Sequence, residues 1–584
     1  MRHRPRRAEP EPIWQEPADL TVSATGRRLG ELLVAAQLVT PEQVVAGLEQ
    51  VRSGSVRRLG RALLDRGLLT EADLTRMLAS QSALPVIDLR DVTPQPEALA
   101  LLPDSTARAL LALPIAVTED TVTVAVAEPA QSTLTGIRDL LGRPVEFRLA
   151  GQTDLMRALD NSYRALTAVD GQVRLFQQRD GHRQPAEQAA QATVDEDAPV
   201  VQVVQLMLTQ ALRDRASDVH IEPRSDQIRV RYRIDGALHD VLELPGSMGP
   251  AVVSRLKILA GMNIVERRRA QDGQISTEVE GRPVDIRVSS TAVVGGEKVV
   301  LRILDKSRPL FTLAQLGMPD DTAARYAELL RSPYGMVICA GPTGSGKTTT
   351  LYGSLGQINS PDRNVMTIED PVEYTFPSIN QIQINEQAGI TFANGLRSIL
   401  RQDPDIILVG EVRDVETARI AVQSALTGHF VLSSLHATNS VAALHRLLDM
   451  GIETFLVASS VTAVLAQRLV RRICEYCRED YRPSAEELAF LEAVGSTPAA
   501  GFVRGAGCNF CAHTGYLDRI GVYEMLPVTE GVRELVLERA AQDQLRKVAR
   551  ADGMRTLLEE SLQLVDQGVT TVSEVLRTVY GTGV

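Results

Sequence analysis

The sequence predicts an α/β protein: a parallel sheet with crossover helices toward the C-terminus, a preceding α+β domain, and a small mixed α/β domain at the start. Three patterns lead there. Beyond residue 307, short wholly apolar runs alternate with helical stretches, as buried parallel strands and their crossovers do. Between 199 and 306, one apolar helix is followed by strands of period-two alternation. Near the start, a repeated segment carries apolar positions three and four apart, which indicates paired short helices.

Length and composition narrow the classes of function. A chain of 584 residues exceeds what one core organises, so several domains are expected. Hydrophobic residues at 44% and charged residues at 23% are ordinary for a folded soluble protein. A net charge of −11 with 4% aromatics argues against a nucleic-acid coat and against base-stacking platforms. The apolar uncharged stretch 455–466 falls well short of the roughly 20 residues a spanning helix needs, so any membrane role is expected to be peripheral.

In chain order, residues 1–25 are rich in Pro, Arg and Glu and are expected to be disordered. The basic start runs into Glu9, Pro10, Glu11 and Pro12 rather than an apolar stretch, unlike a secretory signal. The first domain, 26–165, contains the repeat: Arg28-Leu29-Gly30 returns 30 residues later as Arg58-Leu59-Gly60, Leu33 as Leu63, Leu38 as Leu68 and Thr40 as Thr70. A strand over 121–127 and further helices complete it. Residues 166–198 hold few large apolar side chains and read as a flexible linker. The second domain, 199–306, opens with a helix over 200–212 and continues in strands such as 228–234 and 284–288. The third, 307–584, carries the chemistry.

Its central motif is Gly341-Pro342-Thr343-Gly344-Ser345-Gly346-Lys347-Thr348, which matches G-x-x-x-x-G-K-[ST]. It follows an apolar strand at 336–340 and opens a helix, as a phosphate-binding loop must. Glycines let backbone N–H groups wrap the phosphates. Lys347 is placed to reach the β- and γ-phosphates of ATP, and the Thr348 hydroxyl to bind Mg²⁺, with Thr349 beside it. Cys339 reads as a buried core residue. A second apolar strand, 406–409, ends at Gly410-Glu411, the pattern of a strand whose acid lies near Mg²⁺ or its waters. Between them stands Thr367-Ile368-Glu369-Asp370-Pro371-Val372-Glu373. It is either a solvated turn or a site in which Glu369 orients or deprotonates the attacking water. His429 and His436 bracket the strand 430–434, and each is either structural or a sensor of the γ-phosphate.

Four of the five cysteines form two Cys-x-x-Cys pairs, Cys474 with Cys477 and Cys508 with Cys511. Four thiolates suit a closed tetrahedral Zn²⁺, which is structural because no coordination position stays open. A redox pair is the competing reading.

Taken together, these motifs resemble the type II/type IV secretion ATPase family. The resemblance rests on the loop at 341–348, Ile368-Glu369-Asp370-Pro371-Val372-Glu373, the segment Arg401 to Asp414, and the segment Leu426 to Asn439. Upstream, Ala216-Ser217-Asp218-Val219-His220-Ile221-Glu222-Pro223, Arg231 to Gly236 and Gln271-Asp272-Gly273 resemble the family's second domain, with Ala270 where the family usually has Pro. The resemblance implies a RecA-like ATPase core behind a PAS-like second domain, a homohexameric ring with ATP between subunits, and basic residues of the second domain reaching the phosphates. Arg282 and Arg287, with Arg233 behind them, are the residues so placed. The tetracysteine element is similar to that of assembly ATPases rather than retraction ATPases. The basic stretch Arg468 to Arg472 reads either as a partner or membrane contact or as a solvated helix face.

The N-terminal repeat resembles domains of this family, some of which bind cyclic di-GMP. Arg28, Gly30, Arg58, Gly60, Gly67 and Gln81 fit that pattern, whereas Gln37 stands where Gly67 aligns. A plain docking domain is the alternative. The expectation is a cytoplasmic motor, peripheral at the inner membrane, that works on a platform protein to assemble a type IV pilus. Type II secretion is the nearest rival. A DNA motor fits the acidic balance poorly, and no nucleic-acid partner is expected.

Overall fold

The computed structural model describes residues 28–53, 58–90, 92–118, 120–163, 166, 169–179, 198–305, 312–496 and 501–580. The segment expected to be disordered, 1–25, lies outside them. Contacts group the chain into two compact units, residues 1–163 and 164–584.

In the first unit the repeat forms two helical pairs, α1 (Leu29–Ala35) with α2 (Pro41–Arg52) and α3 (Leu59–Asp65) with α4 (Glu71–Ser82). The second helix of each pair starts at a threonine. Thr40 accepts the N–H of Gln43 and Thr70 that of Asp73, satisfying a donor the helix end leaves open. Leu33, Val39, Leu63 and Leu69 fill the space between the pairs. Gly30 and Gly60 are packing positions: a Cβ would lie 2.9 Å from Val44 on the first and 2.8 Å from Leu74 on the second. Gln37 and Gly67 share a left-handed turn, with φ of 58° and 65°, so the first copy keeps the backbone at a steric cost that glycine avoids. The rest of the unit carries a three-stranded sheet. In it β1 (Ala112–Val117) runs antiparallel to β2 (Val122–Val126), which is parallel to β3 (Val145–Leu149).

The second unit takes in the expected linker, and residues 169–179 of it are helical and packed, which corrects the expectation of flexibility there. There α5 (Val169–Arg179) buries Val169 and Phe176 against α6 (Pro199–Arg213). Residues 180–197 of the linker lie outside the described residues. An antiparallel sheet follows, built from β4 (Asp218–Pro223), β5 (Gln227–Ile234), β6 (Ala237–Pro245), β7 (Gln271–Val279), β8 (Arg282–Val293) and β9 (Gly296–Asp305) in the order β6-β5-β4-β9-β8-β7. Val219, Ile221, Val230, Ile286, Val288 and Leu301 on one face pack with α6 and with α7 (Gly249–Leu259). The opposite face is polar. Cross-strand register places Arg233, Asp218, Arg302, Arg287 and Gln274 in one row along it.

The larger sheet comprises β10 (Gly335–Ala340), β11 (Val365–Glu369), β12 (Asn380–Gln383), β13 (Ile406–Val409), β14 (Phe430–Leu435), β15 (Val461–Ile473) and β18 (Tyr516–Pro527), in the order β12-β11-β13-β14-β10-β15-β18. All neighbours are parallel except β15 and β18. Strands β10, β11, β13 and β14 are buried along their whole length, which is why they read as continuous apolar runs. In such sheets ligands gather beyond the carboxyl ends of the strands.

The basic stretch at 468–472 lies on β15, not on a helix face. Arg468 is 5% exposed. Arg471 binds the buried Glu574 and lies 4.0 Å over the Tyr516 ring, tying the strand to the C-terminal helix Val572–Thr578. Among the described residues no helix is long and apolar enough to cross a membrane.

Candidate functional site

Strand β10 delivers the chain into the loop 341–346, and α8 (Lys347–Ile358) leaves it. Gly344 and Gly346 take left-handed backbone angles, φ of 77° and 88°, which residues with a Cβ rarely adopt. Space forbids a side chain as well: a Cβ on Gly346 would meet Gln467 Nε2 at 2.8 Å, and one on Gly341 would meet Ser345 Oγ at 2.4 Å. The loop is braced from β15. Gln467 Oε1 accepts from Thr350 Oγ1 at 2.8 Å and from Cys339 Sγ at 3.6 Å. Burial pushes the Cys339 thiol up to about 12, which makes it an inert core group. Ser345 Oγ is buried within the loop without a hydrogen-bond partner. Lys347 Nζ donates to Gly341 O at 2.9 Å and to Pro342 O at 3.0 Å. Thr343 and Thr349 are exposed, and Thr348 is half-buried at the start of α8. The glycine turn, the orphaned serine hydroxyl, the lysine and the helix N-terminus make up a cradle for a polyphosphate.

Glu411, two residues beyond β13, ion-pairs with Arg413, and its other oxygen lies 3.6 Å from His436 Nε2. Burial first, then the charge of Lys347, holds His436 below the usual imidazole range, so the ring is neutral at pH 7. His436 follows the carboxyl end of β14. His429 precedes the strand, where its carbonyl accepts from the N–H of Gly335 at the start of β10. The six residues of β14 span about 20 Å, so the two histidines cannot share a site. His429 has its own local task, its Nδ1 lying 3.0 Å from Ser424 O. The two histidines, each read as structural or as a phosphate sensor, are thus held apart: His436 lies beside Glu411 and His429 beside Ser424.

The reading of Glu369 also changes. Its side chain ends β11 at 4% exposure, with Oε1 accepting from Thr367 Oγ1 at 2.5 Å and Gln381 Nε2 at 3.1 Å, and Oε2 accepting from Tyr352 Oη. A carboxylate so enclosed is not placed to take a proton from water. Four residues on, Glu373 has a different setting. Burial and the charge of Glu369 raise its pKa, while Arg287 and Arg302 across from it oppose the rise. Sequence inspection alone missed Glu373, although it stands in the same acidic motif.

Arg287 and Arg302 pair in register on β8 and β9. Arg287 Nη2 is buried without a hydrogen-bond partner, and Arg302 Nε donates to Asp218 at 3.2 Å. Arg282, in contrast, starts β8 opposite Val279. It is separated from Arg287 by an odd number of residues, and side chains alternate along a strand, so it falls on the helix-packed face. Arg233 lies further along the polar row and is 3.6 Å from Asp218. Arg302 went unrecognised in the sequence because only the strand pairing puts it beside Arg287.

The four cysteine sulfurs lie within 4.8 Å of one another. Cys474 to Cys508 measures 3.8 Å, and Cys477 to Cys511 and Cys508 to Cys511 each measure 3.9 Å. A tetrahedron with Zn–S of about 2.3 Å sets sulfurs about 3.8 Å apart, so the donor set fits zinc. Backbone N–H groups of Gly507, Cys508 and Gly515 point at Cys477 or Cys511 sulfur from 3.2 to 3.3 Å, as thiolate ligands require. The excursion between the pairs joins the main core of the sheet domain, Phe490 and Leu491 packing in the same cluster as Val470 and Val575. The helix Ala485–Ala493 buries Phe490 and Leu491, and β16 (Arg478–Asp480) pairs with β17 (Val503–Gly505). Cys508→Ser is expected to remove bound zinc from the purified chain and lower its melting temperature by roughly 10 °C, checked by elemental analysis and thermal melting.

In the first unit, the Arg58 guanidinium is 2.7 Å from Glu128. Arg28 precedes α1, where its N–H donates to Glu31 at 3.3 Å, and Gln81 lies on α4.

A profile of the type II/IV secretion system protein family matches residues 193–577, and one of the MshEN domain matches residues 82–169. The chain is 39% identical over 565 residues to the type IV pilus assembly ATPase PilB of Myxococcus xanthus, covering 94% of this chain and 98% of that protein. It is 38% identical over 566 residues to type II secretion system protein E of Xanthomonas campestris pv. campestris, covering 95% and 98%. Among solved structures, the Legionella pneumophila ATPase DotB aligns with 64% of this chain and 94% of its own at 23% identity, with a TM-score of 0.48. With the phosphate loop in place and a family match over two thirds of its length, the chain belongs to the type II/IV secretion system ATPase family and is an ATP-hydrolysing enzyme.

Proposed function

We propose that this ATPase works as a hexameric motor for type IV pilus assembly, acting on a platform protein at the cytoplasmic face of the inner membrane. The observation that carries the motor reading is that Glu373, fastened through its N–H to Tyr352 on the helix that follows the nucleotide loop, lies within the field of Arg287 and Arg302 of the preceding sheet. Two folded layers then meet across one triphosphate, and its hydrolysis changes what holds them together. Lys347 and the loop amides hold the phosphates, and Glu373 takes the proton of the attacking water. Arg287 and Arg302 stabilise charge on the γ-phosphate, and Glu411 with His436 orients the water network. Mg²⁺, held through Thr348, supplies charge neutralisation when bound with the nucleotide. Zinc on the four cysteines keeps the 474–511 element folded.

The repeat-bearing first unit supports the pilus reading. Type II secretion is the second reading, favoured by the near-equal, full-length identity to a type II secretion protein. Cyclic di-GMP is the proposed ligand of the repeat, with Arg28 and Arg58 meeting a phosphate or guanine face; Arg58 must then leave Glu128. Deleting the gene in its source organism separates the two systems. Loss of surface pili with exoprotein levels unchanged is the expected result, and intact pili with exoprotein retained in the cell identifies the secretion system instead.

A further inference from the structure

We infer that Tyr352 is a positioning residue for hydrolysis, its hydroxyl fastening the segment that bears Glu373 to the helix that follows the phosphate loop. The inference rests on the reading of Glu373 as the base.

Tyr352 stands on α8, five residues beyond Lys347, and is 1% exposed. Its hydroxyl makes two bonds of opposite sense. Oη donates to Glu369 Oε2 and accepts the backbone N–H of Glu373 at 3.2 Å. A phenol can do both at once, and no other side chain of that shape can. Burial and the Glu369 charge push the phenol well above its usual range, so the group stays protonated and the donor persists.

The ring adds a second attachment. It meets Tyr374 edge-on with centroids 5.9 Å apart and Phe376 at 5.3 Å, so the residues just after Glu373 pack on the same side chain. Gln381 closes the arrangement from β12. Its Nε2 donates to Glu369 and to Tyr374 O at 3.0 Å, and its Oε1 accepts the N–H of Phe376 at 2.9 Å. Glu369 thus serves as the hub that orients Tyr352 and Gln381, which explains why a carboxylate is buried there. The helix carrying Lys347 and the segment carrying Glu373 are thereby held as one body. Displacing a reacting group by about 1 Å costs on the order of 100-fold in rate, so this tie bears on turnover rather than on nucleotide affinity.

The test uses Tyr352→Phe in the full chain, which keeps the ring and removes the hydroxyl. The expected result is a fall in kcat of about 10-fold or more. The KM for MgATP and the Kd for a non-hydrolysable ATP analogue stay within about twofold, and the melting temperature within a few degrees. Gln381→Met, which loosens the same segment from its other side, is expected to give the same loss in kcat alone. Unchanged kcat in both variants, beside an inactive Glu373→Gln, overturns the positioning role and leaves the base assignment standing. Parallel loss of kcat and affinity also overturns it, since that is general damage. An active Glu373→Gln removes the base and with it the reason for the tie.

Discussion

Lys347→Ala abolishes turnover, with kcat/KM expected to fall by roughly 1,000-fold or more. The magnitude follows from what the ammonium does. It is the cation of the loop itself, set at the first position of α8 where its charge adds to the helix N-terminus. Burial holds its pKa below the usual lysine range, with Cys339 and Glu411 opposing the fall. Its hydrogen-bond partners in the structure are two carbonyls of its own loop, Gly341 O and Pro342 O. Removing it strands no buried acid, and the melting temperature is expected to stay within a few degrees of the parent. Phosphate release and thermal melting of the purified variant check both halves. Turnover retained within about tenfold of the parent would take the loop out of the mechanism.

What was legible in the sequence was local. The phosphate loop needs glycines at set places in eight consecutive residues, so strand, turn and helix could be read together. Two Cys-x-x-Cys pairs and the 30-residue repeat are likewise short-range patterns. The misreadings concern groups whose neighbours come from far along the chain. Glu369 and Glu373 sit four residues apart in one acidic motif. The difference between them lies in Tyr352 and Gln381, seventeen residues before Glu369 and twelve after it. Part of the rest was present but unused. The odd spacing of Arg282 and Arg287 already puts them on opposite faces of a strand, and the extended strand that His429 and His436 bracket already separates them. The helix α5 escaped notice because its two buried residues, Val169 and Phe176, are diluted by polar neighbours, although a spacing of seven is two helical turns.

Glu373→Gln is expected to lower kcat by roughly 100- to 10,000-fold, the range over which a general base contributes. Glu369→Gln is expected to keep more than a tenth of the parent rate, because its amide oxygen, turned to Tyr352, still accepts the hydroxyl that fastens the Glu373 segment. The pH profile separates the two acids further. The groups facing Glu373 are Arg287 on β8, Arg302 on β9, Glu369 at the end of β11 and the Tyr352 hydroxyl on α8. Burial is the largest influence and raises its pKa, and the Glu369 charge raises it further against the two arginines. A base works deprotonated, so activity is lost as pH falls through this raised pKa, and the acid limb of kcat/KM lies above the ordinary carboxylate range. Glu369→Gln removes one of the two raising influences, so its acid limb moves to lower pH while the burial contribution remains. An arginine removed from the facing row has the opposite sign: Arg302→Ala takes away a lowering influence and moves the limb up. Rates of phosphate release measured across pH for the three variants decide the matter. A limb that stays in place in Glu369→Gln, or moves the other way, would mean that the titrating group is not Glu373.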